Sequence, residues 1–397
     1  MDFLGTTVKK NKQLPPKLLA ILRSIRAISI VFFTFSIVFN VLTCISLNAS
    51  NEREERIRAS RNWKDGKFIN PQPLINDIGD SILAMFFKDE HASPKNPIDY
   101  EKTNASVLLS EPASGLRVTW FGHSSTLVEI DGTKVLTDPI WSDRTSPLSW
   151  IGPKRWYDAP LSFQDLPDID AVVISHNHYD HLDRQTALLL NEKGVIFVVP
   201  LGVASHLIDW GISNSKIREL DWWEETKIGN LKIVCTPARH ASGRSLFDKD
   251  EHLWAGYALV GDKHRVYYSG DTGLFPAMKE IGNKYGPFDL TMIETGQYNQ
   301  AWPDWHIGPE QAVIAHTMVN GKKMLPVHWA LFELASHSWT EPIERVLAKA
   351  KELNVFVATP KPGQSFEPEI KKEFPRWWPD LPWKTAMENP IVSTQTE

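Results

Sequence analysis

One short segment of the chain concentrates residues that can bind metal ions. The nine residues SHNHYDHLD, 175–183, contain three histidines and two aspartates and follow the apolar run DAVVI. In an extended segment alternate side chains point the same way, so His176, His178 and Asp180 can converge while His181 turns in behind them. Neutral imidazoles and carboxylates suit zinc, with manganese and ferrous iron as competitors. The segment therefore offers ligands for two ions.

A metal pair needs further ligands, and three candidates stand at the ends of other apolar segments. LKIVCTPARH ends at His240, RVYYSGD at Asp271 and KMLPVH at His328, and each run has the composition of a strand. Taken singly, Asp271 is also explained as a turn cap, and His328 as a core histidine. Together with residues 175–183, the joint pattern predicts a metal site at the rim of a sheet.

The elements that must position these ligands follow a pattern of strands and helices from Ser106 onward. Strands are predicted over RVTWFG, STLVEID and KVLTDP, and Asp131-Gly132 predicts a hairpin between the last two. Helices are predicted over DRQTALLLNEKG and PEQAVIAHTMVNG. Strands that alternate with helices are typical of an α/β fold.

These motifs, in this order, resemble the metallo-β-lactamase superfamily and, within it, the N-acyl-phosphatidylethanolamine phospholipase D-like hydrolases. The resemblance implies an α/β fold of four layers, an αββα sandwich. It extends from about Trp63 to Phe366, and its segments are WKDGKFINPQP, WFGHSSTLVEIDGTKVLTDPIWSDRTSP, GPKRW, ISHNHYDHLD, ELDWWEE, GDTGLFP and GPFDL.

The resemblance also implies a role for each candidate ligand. The cofactors would be two divalent metal ions, expected to be zinc. Asp271 would bridge both ions, which makes it a catalytic candidate as well as a ligand. The ligands of the first ion would be His176, His178 and His240, and those of the second Asp180, His181 and His328.

Three other residues near these motifs have two interpretations each. His306, in WHIGPEQAV, matches a further active-site histidine of these hydrolases, suited to protonating a leaving alkoxide or holding a phosphate oxygen. Its alternative is a histidine that merely precedes a helix. His123 either lies near the metal floor or stabilises a turn. Asp183 either accepts a hydrogen bond from a ligand histidine or caps the following helix.

Two features bear on the substrate. The segment IETGQYNQAWPDW is only loosely similar to the family's substrate-side loop, and the chain diverges after HWALFEL. These departures concern lipid specificity and leave the metal chemistry untouched. Trp302, Trp305, Trp329 and Trp339 flank the site motifs, where they line a groove for acyl chains, face a bilayer or belong to the core.

Composition excludes some classes of function. The chain has 397 residues, 42% of them hydrophobic, which is enough for a sizeable core. Its 43 basic and 48 acidic residues give a net charge of −5, so nucleic acid is not an expected partner. Its two cysteines, Cys44 and Cys235, predict no structural disulfide.

The N-terminal region carries a predicted membrane span. Residues 27–47 are 21 positions without a charge, long enough as a helix to cross a bilayer. Cleavable signals have a shorter apolar region, so an uncleaved signal anchor is favoured over a cleaved signal or a lipoprotein signal at Cys44. Basic residues lie on both sides of the span, which leaves orientation weakly determined; we expect the catalytic domain outside the cytoplasmic membrane.

The chain is thus predicted to have five segments. Prolines break residues 68–105, which indicates a strap around the domain, and the C-terminal residues have the composition of a tail. The segments are a basic N-terminus (1–26), a signal anchor (27–47), a linker and strap (48–105), a catalytic domain (106–370) and a tail (371–397).

Three functions fit this pattern. The favoured one is a membrane-anchored phosphodiesterase of the phospholipase D type, acting on phospholipids. The same site could instead hydrolyse another ester, such as a lactone or a nucleotide phosphodiester. A di-iron oxidoreductase of the flavodiiron type is disfavoured, because that family has glutamate where this chain has His178 and carries a flavin-binding domain. The oligomeric state is left open.

Overall fold

The structure is a computed structural model that describes residues 51–75, 88–245, 247–371 and 373–394. The chain divides into two compact units, Met1–Ala59 and Ser60–Glu397. In the first unit, residues 51–59 form a mostly exposed helix. In the second unit, two short strands, β1 (Trp63–Lys64) and β2 (Lys67–Phe68), form a small hairpin.

The first large sheet has seven strands. They are β3 (Leu116–Gly122), β4 (Ser125–Ile130), β5 (Thr133–Thr137), β6 (Ala171–Val173), β7 (Ile196–Pro200), β8 (Ile217–Leu220) and, at the edge, β16 (Ser365–Phe366). Their order is β16-β3-β4-β5-β6-β7-β8. Strands β3 to β5 pair antiparallel, and β5 to β8 pair parallel. Asp131 and Gly132 turn between β4 and β5 with φ of 47° and 82°, as the hairpin prediction requires.

The second large sheet also has seven strands. They are β9 (Glu225–Ile228), β10 (Leu231–Thr236), β11 (Gly256–Val260), β12 (Arg265–Tyr268), β13 (Leu290–Glu294), β14 (Lys323–Val327) and β15 (Phe356–Val357). Neighbours pair antiparallel from β9 to β12 and parallel from β12 to β15. Each sheet thus combines an antiparallel half with a parallel half.

Helices cover one face of each sheet. They are α1 (Ala105–Leu108), α2 (Arg184–Glu192), α3 (Ala204–Asp209), α4 (Ala277–Tyr285), α5 (Pro309–Met318) and α6 (Glu341–Leu353). Leu190 of α2 and Leu207 of α3 share a buried cluster with Val172 of the first sheet. Met278 of α4 and Val346 of α6 share another with Ile293 of the second sheet.

The other faces of the two sheets meet each other. Thr126 of β4 places its hydroxyl 3.4 Å from the sulfur of Met292 in β13, and the Tyr257 hydroxyl donates to the Ile174 carbonyl at 2.8 Å. Because successive side chains of a strand point to opposite faces, each strand contributes side chains both to the layer between the two sheets and to the layer under its helices. The predicted α/β sandwich with two large sheets is confirmed, and the layers run helix, sheet, sheet, helix.

The predicted C-terminal tail is packed against the domain rather than free. Residues 373–394 form no helix or strand, yet Trp378 and Ile391 are buried. The Trp377 ring stacks on Trp329 with centroids 5.3 Å apart. The segment behaves as a second strap.

The predicted membrane span cannot be compared with the structure, because residues 27–47 lie outside the described residues. Within the described ranges, no helix combines the length and the apolar character needed to cross a bilayer.

Candidate metal centre

The candidate ligands lie beyond the carboxyl ends of strands from both sheets. The 175–183 segment follows β6, His240 follows β10, Asp271 follows β12 and His328 follows β14. Parallel strands present their carboxyl ends at the same sheet edge, so these loops meet at one rim of the sandwich.

Three histidines form the first cluster. The His176 Nε2 lies 2.8 Å from Nδ1 of His178, and the His240 Nε2 lies 3.3 Å from the same atom. These three side chains each offer a nitrogen within 4.8 Å of the others. They are the side chains predicted to hold the first ion.

The second cluster surrounds the Asp180 carboxylate. Its Oδ2 lies 3.2 Å from the His181 Nε2 and 3.3 Å from the His328 Nε2. His123 adds its Nε2 at 2.9 Å from the same oxygen. The structure therefore brings together the three residues predicted for the second ion, with His123 as an additional neighbour.

Asp271 lies between the clusters. Its Oδ2 is 3.8 Å from Nε2 of both His176 and His240, and 3.1 Å and 3.2 Å from Nε2 of His181 and His328. One carboxylate oxygen thus faces both sets of imidazoles, which is the placement expected of a bridging ligand.

An unpaired polar atom tests whether the site suits metal ions. Oδ1 of Asp271 is buried and makes no hydrogen bond within the described part of the chain. Buried polar atoms are normally satisfied, because leaving one unpaired costs about 1–3 kcal/mol. A divalent cation would satisfy this oxygen, and the nitrogen and oxygen donors around it suit zinc.

Burial sets the protonation of the first cluster. It lowers the pKa of His178 to about 4. Burial and the neighbouring imidazoles lower the pKa of His176 and of His240 well below the usual value. All three are neutral near pH 7, and the neutral imidazole is the form that binds a metal ion.

In the second cluster, protonated imidazoles offset the negative charge of buried carboxylates. Burial alone would lower the pKa of His181 and of His328, but the surrounding carboxylates, with Asp271 the largest contributor, together outweigh it and raise both pKa values well above the usual value. Burial would raise the pKa of Asp180 and of Asp271, but the charges and hydrogen bonds of the neighbouring histidines, with His181 the largest contributor, together hold both pKa values well below the usual value. A divalent cation can take the place of these protons, since metal binding and proton release are linked.

His306 faces the same cluster from the loop after β13. Its Nδ1 is hydrogen-bonded to Oε1 of Glu294 and lies 3.8 Å from Oδ2 of Asp271. Its side chain is 17% exposed whereas that of Asp271 is 1% exposed, so His306 lies toward the opening. It precedes Gly308, the N-cap residue of α5, and does not cap that helix. The active-site interpretation therefore fits its placement better than the helix-start alternative.

Two buried carboxylates that hold these histidines were missed in the sequence. Glu294 ends β13 and contacts the Nδ1 atoms of His306 and His328. Asp138 follows β5 and accepts from the His181 Nδ1 at 2.6 Å. The available signal was the same for both residues: an acidic residue at the end of an apolar strand, in TMIE and in VLTD.

The structure bears on each residue that had two interpretations. His123 fits both the turn and the metal-floor interpretation: it has the positive φ of a turn residue, 51°, and its Nε2 contacts Asp180. Asp183 caps α2 by accepting from the Gln185 amide, and it contacts no ligand histidine within the described residues. Trp302, Trp329 and Trp339 are buried, which agrees with the core interpretation.

Residues near both ends of the second unit contact the segment that carries His240. The Asn70 side chain donates to the His240 carbonyl at 2.7 Å. Next to it, buried Arg239 pairs with buried Asp304 at 3.0 Å and donates to the Thr394 carbonyl at 2.7 Å. Asp304 in turn accepts from the Thr394 amide at 2.7 Å. The N-terminal strap and the C-terminal segment therefore position a candidate ligand.

Known proteins are similar to this chain in sequence and in fold. The family model for the Beta-lactamase superfamily domain matches residues 133–329. The N-acyl-phosphatidylethanolamine-hydrolyzing phospholipase D 1 of Caenorhabditis elegans is 37% identical over 307 residues, covering 71% of this chain and 86% of that protein. An uncharacterized protein of Mycobacterium tuberculosis is 45% identical over 329 residues, covering 80% and 87%. The isothiocyanate hydrolase from Delia radicum gut bacteria has a similar fold, with a TM-score of 0.51 at 18% identity, covering 63% and 98%.

Proposed function

Because this chain is a metal-dependent hydrolase of the metallo-β-lactamase superfamily, in its N-acyl-phosphatidylethanolamine phospholipase D-like branch, we propose that it is a zinc-dependent phosphodiesterase that cleaves phospholipids. The family resemblance noted in the sequence is thereby confirmed. The phospholipid substrate and the zinc pair are the proposal.

The observation that carries the proposal is the placement of Asp271 between two ligand clusters. His176, His178 and His240 would hold one ion, and Asp180, His181 and His328 the other. Ions bound there would supply Lewis-acid charge and a water activated near neutral pH, which suits attack on a phosphodiester.

The protein's own groups have distinct tasks in this proposal. Glu294 holds Nδ1 of His306, which leaves Nε2 of that imidazole for the substrate. From there His306 can donate a proton to the departing head-group alkoxide or hold a phosphate oxygen. Asp138 keeps His181 in one orientation by accepting from its Nδ1.

Two variants separate metal binding from proton transfer. Asp271→Asn should lose metal and nearly all hydrolysis of phospholipids. His306→Ala should keep its metal content and lose on the order of a hundredfold to ten-thousandfold in rate. His91→Ala, outside the clusters, is the control and should change neither. Metal content and turnover of the purified variants are measured together.

The same measurements decide between substrates. Wild-type protein is screened against phospholipids, lactones and nucleotide phosphodiesters, with Asp271→Asn as the blank. Activity on lactones or nucleotides without activity on phospholipids would replace the phospholipid assignment with another ester. An Asp271→Asn protein with full metal content and turnover would refute the two-metal site itself.

A further inference from the structure

Residues 143–155 form a surface loop with an exposed middle, residues 147–152, and two ends that are tied together. Arg144 and Lys154 form an isolated antiparallel bridge. The Thr145 amide donates to the Pro153 carbonyl at 3.1 Å, and the Arg155 amide donates to the Asp143 carbonyl at 2.9 Å. The loop thus has a short double-stranded stem and a tip made of residues 146–152.

The stem is anchored in the domain without help from the tip. Arg155 is buried, and its guanidinium donates to the Tyr157 carbonyl at 2.8 Å and to the Trp141 carbonyl at 3.2 Å. Thr145 is buried as well. The loop shape therefore does not depend on packing by the side chains of the tip.

The tip exposes three large apolar side chains within four positions. Leu148 is 45% exposed, Trp150 72% and Ile151 51%. Exposed apolar residues that occur singly are ordinary, but a cluster on an exposed tip indicates a surface that contacts something apolar. Because the tip is held in place by its stem, docking it would require little additional ordering of the backbone.

A phospholipid bilayer fits this tip better than a protein partner does. Stable protein interfaces bury about 800 Å² on each partner, more than three side chains on a narrow tip supply. Tryptophan is favoured at the boundary between acyl chains and head groups. Lys154 is exposed at the stem of the loop, beside Arg144. At this position a cationic side chain can reach lipid phosphates while its methylene groups stay near the apolar layer.

A groove connects this loop with the candidate metal segment. Its volume is about 1070 Å³, and it is lined by Ser149 of the tip, Leu189 of α2, Trp210 after α3, and Tyr179 and Leu182 of the ligand segment. A lipid lifted from a bilayer beneath the tip would therefore enter next to the ligand segment.

We propose that residues 146–152 insert Leu148, Trp150 and Ile151 into the interfacial layer of a phospholipid bilayer. Because Ser149 of the tip lines the groove, docking places the groove at the membrane surface. The groove's use as a lipid route rests on the proposed function, whereas docking of the tip does not.

Site-specific labelling tests the docking in the full chain. Trp150→Cys and, as a control, Met387→Cys are made in a Cys44→Ser background and labelled with a polarity-sensitive fluorophore. Met387 is 94% exposed and lies outside the loop, and the remaining Cys235 is buried. Each protein is reconstituted with phosphatidylcholine and phosphatidylethanolamine vesicles that contain a nitroxide-labelled lipid. Insertion predicts quenching several-fold greater at position 150 than at position 387.

Equal quenching at the two positions would overturn the proposal. So would a label at position 150 that becomes shielded without vesicles as the protein concentration rises, because a second copy of the chain would then cover the tip. Failure of the phospholipase assignment would appear instead as absent hydrolysis with the quenching difference intact, so the two failures are distinguishable.

Discussion

Most imidazoles of the site have one nitrogen toward the clusters and the other held by the protein. Nδ1 of His176 contacts the Ser175 hydroxyl at 2.9 Å, and Nδ1 of His240 contacts the Trp305 carbonyl at 2.8 Å. Nδ1 of His181 is held by Asp138. Such contacts set the ring orientation and the tautomer, which leaves Nε2 for the ion or the substrate.

One of these contacts can be tested at Asp138. Its carboxylate accepts from the His181 Nδ1 at 2.6 Å, from the Ser175 amide at 2.7 Å and from the Tyr268 hydroxyl. Asp138→Asn removes the negative charge, so we expect metal affinity to fall by about 10- to 100-fold. Metal titration of the chelated protein measures this.

Asp183→Asn is the matched control for that experiment. Asp183 caps α2, and asparagine is also a good cap, so its metal affinity should equal that of the wild type. If Asp138→Asn and Asp183→Asn bound metal equally, Asp138 would have no role in positioning His181.

At the scale of elements, α5 is joined to the second sheet through a buried histidine. His316 is 2% exposed, and its Nδ1 lies 2.7 Å from the Thr291 hydroxyl of β13. Burial lowers the pKa of His316 to about 4. The folded protein therefore keeps this side chain neutral at a pH where the unfolded chain protonates it.

This difference predicts an acid-sensitive contact. As the pH falls from about 6.5 toward 4, only the unfolded state takes up the proton, so the contribution of His316 to the free energy of unfolding declines by up to about 1.4 kcal/mol per pH unit. His316→Gln should therefore be less stable at pH 7 but lose less stability on acidification. Urea unfolding of chelated protein at pH 7 and pH 5 measures both effects.

Thr291→Val provides the control for the pH experiment. It removes the hydroxyl partner and costs about 1 kcal/mol, yet keeps the titrating imidazole, so its pH slope should match the wild type. A His316→Gln protein with the wild-type slope would show that His316 does not titrate on unfolding.

At the scale of the whole molecule, the two ends of the catalytic unit meet behind the candidate site. The Pro73 carbonyl and the Thr394 carbonyl both accept from Arg239. The segment predicted as a tail thus helps to brace a candidate ligand. Changes near residue 394 can therefore affect the site, although they are distant from it in sequence.

The membrane anchor remains a proposal at this scale. If residues 27–47 span a bilayer uncleaved, the full chain should stay in the membrane fraction after alkaline carbonate washing and retain its N-terminal residues. Phe35→Asp with Val38→Asp is the control, because each charge at the centre of a span costs about 2.5–3.5 kcal/mol and should release the chain. Recovery of a soluble wild-type chain beginning near Asn48 would identify a cleaved signal instead. An anchored chain with its catalytic domain outside the cytoplasmic membrane is what we propose.

The family resemblance implied the four-layer α/β sandwich. The sequence alone predicted the alternation of strands and helices, the strand-end placement of the ligands and the hairpin at Asp131-Gly132. These features depend on short-range regularities, namely alternation along strands, turn residues at fixed positions and four ligand side chains within six consecutive residues, 176–181. Local backbone geometry is enough to bring such side chains together.

Only the tertiary structure decided which residues support the ligands. Asp138 and His181 are 43 positions apart in sequence, and Arg239 and Thr394 are 155 positions apart. Such contacts depend on strand register, on the packing of two sheets and on the path of both straps. Many acidic residues follow apolar runs in this sequence, so only the folded arrangement shows that Asp138 and Glu294 are the ones that hold the histidines.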